Sequence, residues 1–78
     1  MVLTLYTKPG CHLCESMKAL LATAKAQQPF ELTVIDISNN PALKRLYQNH
    51  IPVLLKDGKE IARHRIDDTE LSALLSSR

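Results

Sequence analysis

Cys11 and Cys14 are the only cysteines in this 78-residue chain, and they stand three positions apart. A disulfide closing so short a loop removes little entropy from the unfolded chain, so the pair makes a poor structural staple. In a chain without an export signal, thiols at this spacing read as redox-active or metal-binding. In the first turn of a helix their Cα atoms would lie roughly 5 to 6 Å apart, inside the window for an unstrained disulfide. One backbone then serves both the oxidised and the reduced form. The free amides and positive dipole end at a helix start favour the thiolate of the first cysteine, which makes Cys11 the expected nucleophile. Cys14 aligns with Met17 and Leu21 at helical spacing, so it is expected to lie deeper and to act as the resolving thiol. Lys8, close before Cys11, is placed to stabilise a thiolate or bind a substrate carboxylate. A cationic His12 would also favour the Cys11 thiolate, although the same helix dipole opposes its charge.

The elements that must position these residues follow from periodicity and punctuation. Val2 to Thr7 is a β-rich apolar run halted at Lys8-Pro9-Gly10, so it predicts a buried first strand. From Cys11 the period changes, and Leu13, Met17, Leu20, Leu21 and Ala24 mark one face of a helix that stops before Pro29. The cysteines therefore fall at a strand-to-helix junction. Phe30, Leu32 and Val34 alternate with Glu31, Thr33 and Ile35 in a second strand that ends near Asp36 to Ser38. Asn40-Pro41 reads as an N-cap with proline at the first helical position, opening a helix over Pro41 to Gln48 whose apolar stripe is Leu43, Leu46 and Tyr47. Val53 to Lys56 and Lys59 to Arg65 flank Asp57-Gly58, a two-residue hairpin signal. Asp67 and Glu70 have capping-box spacing, and Ile66 and Leu71 can form the hydrophobic staple of a third helix. The order β-α-β-α-β-β-α predicts an α/β fold, a four-stranded mixed sheet with helices on both faces.

The run Tyr6-Thr7-Lys8-Pro9-Gly10-Cys11-His12-Leu13-Cys14 closely resembles the active-site segment of glutaredoxins, where lysine and proline precede a CxxC. The likeness extends over the whole chain, 1–78. It implies a minimal thioredoxin fold and a glutaredoxin-like thiol-disulfide oxidoreductase of cell redox homeostasis, with no bound cofactor. Its substrates would be protein or small-molecule disulfides, and its reductant glutathione or a thioredoxin-like dithiol system. His50-Ile51-Pro52 stands where the family has Thr-Val-Pro, whose cis proline faces the reactive cysteine and whose preceding backbone pairs with the bound thiol peptide. The resemblance thus implies a cis Ile51–Pro52 bond and a substrate-binding role for Ile51 and Pro52, beside Lys8 and His12. Two features depart from the family pattern. His12-Leu13 replaces the usual Pro-Tyr, and the paired glycines before the last helix are missing from Ala62 to Ile66. With Asp67-Asp68 opening that helix, an Asp cap and two carboxylates stand where the family seats the γ-glutamyl carboxylate, so glutathione is expected to bind weakly.

Composition bounds the rest. The chain is 45% hydrophobic and 23% charged with only Phe30, Tyr6 and Tyr47 aromatic, an ordinary globular mixture that fits one domain. Its net charge of +2 is too small to indicate nucleic-acid or membrane-surface binding without a basic cluster or aromatic platform. The apolar start Val2 to Tyr6 is shorter than a signal-peptide core, which predicts a cytoplasmic protein, taken as a monomer. Lys56, Lys59, Arg63 and Arg65 could attract an acidic partner, but they read first as charges that guard an edge hairpin against aggregation. Two other functions use the same residues. Cys11 and Cys14 with His12, His50 or His64 could form a zinc or iron-sulfur carrier site, although no second CxxC accompanies them. A non-catalytic partner-binding module would instead carry an unreactive Cys11.

Overall fold

A computed structural model describes residues 1–76. Strand β1 (Val2–Thr7) leads into helix α1 (His12–Gln27), strand β2 (Glu31–Asp36), a 3-10 turn (Ile37–Asn39) and helix α2 (Pro41–Tyr47). Strands β3 (Val53–Lys56) and β4 (Lys59–Arg63) and helix α3 (Asp68–Ser76) follow. The sheet order is β2-β1-β3-β4, with β1 parallel to β2 and the β1–β3 and β3–β4 pairs antiparallel. This is the β-α-β-α-β-β-α order expected from the sequence.

Local chemistry accounts for the boundaries. Gly10 at φ +77° makes the turn after β1 in the left-handed region that glycine enters without steric penalty. Asp57 and Gly58 both have positive φ, 51° and 86°, as a primed two-residue hairpin turn requires. The turn is anchored to β1, because the Val2 N–H donates to Asp57 Oδ1 at 2.9 Å and the Asp57 N–H donates to the Val2 carbonyl at 2.8 Å. Asn40 caps α2, its Oδ1 accepting from the amides of Ala42 and Leu43 at 3.1 and 3.2 Å. Asp67 caps α3 by accepting from the Glu70 N–H at 2.7 Å.

Two clusters hold the layers together. Leu3 and Leu5 of β1 point to one face, where they join Met17 and Leu21 of α1, Leu71 and Leu75 of α3, Phe30, Leu54 and Ile66. Ile66 and Leu71 share this cluster, as the staple requires. Strand alternation turns Tyr6 to the opposite face, where it stacks on Tyr47 at the end of α2. There a smaller cluster of Cys14, Ile37 and Ile51 is flanked by Tyr6, Cys11, Leu43 and Tyr47. Helices thus cover both sheet faces. Among the described residues no helix is long and apolar enough to cross a membrane.

Three features differ from the sequence expectation. A 3-10 turn lies where the second strand was expected to end, and it is set by Asp36, whose side chain accepts from the Ser38 N–H at 2.8 Å. Strand β4 ends at Arg63 instead of Arg65, because His64 turns to φ +69° and leaves the extended region. The β3–β4 register shifts between Leu54 and Leu55, with Leu54 opposite Ala62 and Leu55 opposite Glu60. The extra residue lets Ile61 and Ala62 both pack on the larger core. It also brings Glu60 and Arg63 together, although an odd spacing puts residues on opposite faces of a regular strand. The Arg63 guanidinium donates twice to the Glu60 carboxylate, at 2.7 and 2.8 Å.

Candidate active site

The site starts from the end of β1. Thr7 is buried, and Lys8-Pro9-Gly10 swings the chain out so that Cys11 becomes the N-cap of α1, with extended φ and ψ of −94° and 107°. The Cys11 carbonyl accepts from the Glu15 N–H at 3.1 Å and its Sγ accepts from the Cys14 N–H at 3.1 Å. A sulfur takes the place that a Ser, Thr or Asp oxygen takes in an ordinary N-cap. Charge on that sulfur would meet an amide donor and the positive end of the helix, both of which favour a thiolate.

Cys11 and Cys14 are joined by a disulfide with a Cα–Cα separation of 5.2 Å, inside the usual window. Their environments differ. Cys14 is fully buried at 0% exposure within the cluster of Ile37 and Ile51, whereas Cys11 is half-buried at its edge. A disulfide target arriving from solvent therefore meets the Cys11 sulfur first.

The chain before β3 supplies the other wall. The Ile51–Pro52 bond is cis, Ile51 packs with Cys14, and Pro52 is buried. The Pro52 carbonyl accepts from the His64 N–H at 2.8 Å, which ties this wall to the end of β4. Lys8 and His12 are exposed, and among the described residues their side chains make no hydrogen bond or ion pair. The structure thus brings Ile51 against the cysteines and leaves Lys8 and His12 at the solvent side of the same turn.

Several pairings at this end of the sheet carry no signal in the sequence. Tyr6 and Tyr47 stack with ring centroids 4.9 Å apart and planes inclined by 24°. His50 and His64 lie with ring centroids 5.8 Å apart, and His64 Nε2 is 3.3 Å from the Asn49 carbonyl. His50 Nδ1 is buried without a hydrogen-bond partner. Hydrogen bonding to Arg63 holds the Glu60 carboxyl below its ordinary range and the Arg63 guanidinium above its own. Hydrogen bonds from the Ser38 hydroxyl and amide likewise lower the Asp36 carboxyl. The histidines meet each other, but among the described residues no three of His, Cys, Asp and Glu gather as a metal-ligand set.

Residues 2–76 match the family described as Glutaredoxin-like domain (DUF836). The chain belongs to this glutaredoxin-like family. A glutaredoxin-like protein of Dictyostelium discoideum is 36% identical to it over 72 residues, which cover 85% of this chain and 67% of that protein. The solution structure of a Nitrosomonas europaea protein superposes with a TM-score of 0.79 at 41% identity, covering 95% of this chain and 89% of the other. A thioredoxin variant from Halobacterium salinarum gives 0.66 at 26% identity, covering 94% and 69%. The thioredoxin fold with a CxxC at the start of α1 supports a redox-type function for the glutaredoxin-like domain.

Proposed function

We propose that this glutaredoxin-like domain is a thiol-disulfide oxidoreductase that works by dithiol exchange. The observation that carries the reading is the asymmetry of the pair: a half-buried Cys11 whose sulfur caps α1, and a fully buried Cys14 one turn behind it. In the reduced form the Cys11 thiolate attacks one sulfur of a target disulfide and the other sulfur leaves as a thiolate that takes up a proton. Cys14 then loses its proton and attacks the Cys11 sulfur. The Cys11–Cys14 disulfide forms, the target's second sulfur departs as a thiol, and two electrons have passed to the target.

The substrates in this reading are protein or small-molecule disulfides, and a thiol reductant, either glutathione or a thioredoxin-like dithiol, returns the pair to its reduced form. The backbone at Ile51, held beside the cysteines, is suited to pair with an extended target, and Lys8 to meet a carboxylate near the mixed disulfide. The cytoplasm, where thiols are kept reduced, suits such a cycle. Glutathione binds weakly in this reading, because the Asp67 carboxylate already occupies the Glu70 amide at the start of α3.

The test separates the two thiols. Cys11→Ser abolishes reduction of a small neutral disulfide, while Cys14→Ser still captures one half of it as a stable mixed disulfide on Cys11, seen as a mass increment. Faster alkylation of Cys14 than of Cys11 at neutral pH, or no trapped adduct in Cys14→Ser, refutes the assignment.

A further inference from the structure

We propose that the outward face of α2, formed by Lys44, Arg45 and Leu46, docks an acidic protein that presents its disulfide to Cys11. This deepens the dithiol reading by naming a class of partner for the same site.

The position of α2 carries the first part of the argument. Leu43 and Tyr47 pack inward on the cluster of Cys14, Ile37 and Ile51, against which Cys11 and Tyr6 also pack. The outward residues of this seven-residue helix are therefore carried on the same small unit as the redox pair. A macromolecule with its disulfide at Cys11 has α2 beside it.

The second part is what that outward face offers. Leu46 is 62% exposed, more than Met1, Val2 or Val34, the other exposed large hydrophobics among the described residues. Lys44 and Arg45 precede it directly, both exposed, and among the described residues neither takes part in an ion pair. From Ile37 to Lys56 the chain carries no Asp or Glu. Of the carboxylates on neighbouring elements, Asp36 is held by Ser38 and Glu60 by Arg63. The other helices differ in kind, since Glu15 pairs with Lys18 on α1 and α3 opens with Asp68 and Glu70. Positive charge is thus left unpaired on the helix that borders the redox pair.

An exposed leucine beside two unpaired cations fits a protein surface of carboxylates around an apolar contact. A nucleic-acid strand is the poorer match, because strand binding without base readout relies on free aromatic faces for stacking, and Tyr6 and Tyr47 stack on each other. Complementary charge raises encounter rates by roughly 10 to 1000-fold, and salt removes the gain.

The experiment uses two peptides of equal length, each closed by one disulfide, with Glu and Asp flanking the cysteines in one and Lys in the other. Reduced wild-type protein is expected to reduce the acidic peptide with a kcat/KM about ten times or more that of the basic one at about 0.01 M salt, where charges act over ~30 Å. The ratio should fall toward one in about 1 M salt, where the range is ~3 Å. The double variant K44E/R45E should invert the ratio, L46S should lower kcat/KM for the acidic peptide, and K25E, the same charge change on α1, should preserve the preference. Equal rates for the two peptides in the wild type, or a preference untouched by K44E/R45E, would overturn the proposal. A second arm needs no turnover: a serine version of the acidic peptide, titrated into the oxidised protein, should shift amide resonances centred on Lys44 to Tyr47. Failure to reduce even a small neutral disulfide would refute dithiol exchange while this arm still decides the surface. Shifts elsewhere, or tighter binding of a single-stranded DNA oligomer than of the acidic peptide, would refute the docking assignment.

Discussion

Replacing Asn40 with alanine tests how the shortest helix is held against the cysteines. Asn40 Oδ1 accepts from two α2 amides, at 3.1 and 3.2 Å, and alanine leaves both without that acceptor. A seven-residue helix is far below the length at which helices are stable alone, so α2 depends on its cap and on the packing of Leu43 and Tyr47. Loss of an Asn cap to Ala costs ~0.5 to 2 kcal/mol, and the doubly bonded geometry here places Asn40 in the middle of that range, at about 1 kcal/mol. For a domain of this size that lowers Tm by roughly 4 to 8 °C. Asn40→Asp should keep the wild-type Tm within about 2 °C, because a carboxylate accepts the same bonds and suits the helix dipole. Asn40→Gly should lose only a few tenths of a kcal/mol, since its amides stay open to water. Thermal melts of the three variants, followed by circular dichroism, measure the series. If Ala and Asp melted together, or Ala melted within 1 °C of wild type, the cap would not be what holds α2.

Two further perturbations probe the core and the charge pair. Leu5→Ala removes a side chain with no exposed surface from the cluster of Met17, Leu21 and Leu54, at a cost of ~2 to 5 kcal/mol; urea unfolding should show it, and a loss below about 1 kcal/mol would mean the site collapses without strain. Arg63 depresses the Glu60 carboxyl, so its contribution to stability is complete above the unfolded value of 4.5 and fades as pH falls through the lower folded value. Glu60→Gln should therefore destabilise modestly at pH 7, as an exposed ion pair does, and the difference from wild type should shrink as pH is lowered below 4.5; a difference that stays constant on acidification would refute the pairing as its cause.

The sequence was legible where the determining contacts are local. Pro9-Gly10 ahead of Cys11, Asn40-Pro41, Asp57-Gly58 and the Asp67 cap each act within a few residues, and each sits where its chemistry put it. What escaped depends on partners far along the chain. The stripe Leu43, Leu46 and Tyr47 reads as one apolar face, yet the sheet offers α2 a surface only one turn long around Tyr6. Leu43 and Tyr47 fill it, and Leu46 is left outside. The stack of Tyr6 on Tyr47 joins a strand to a helix 41 positions later, and no spacing rule connects them.

The bulge shows the same limit at the edge of the sheet. No glycine marks Leu54 or Leu55, and the alternation of β4 predicts that Ile61 and Ala62 point apart, whereas both pack on the larger core. That shift pairs Arg63 with Glu60 and removes one cation from the rim beside Pro52, while His64 closes the wall by donating to the Pro52 carbonyl. Arg63, read from sequence as one of four charges guarding an edge, is neutralised in place, and among the described residues the unpaired cations near the cysteines are Lys8 on the turn before Cys11 and Lys44 and Arg45 on α2. The redox pair was readable from two residues and a helix start; the pairing of Arg63 was decided by one extra residue in a strand.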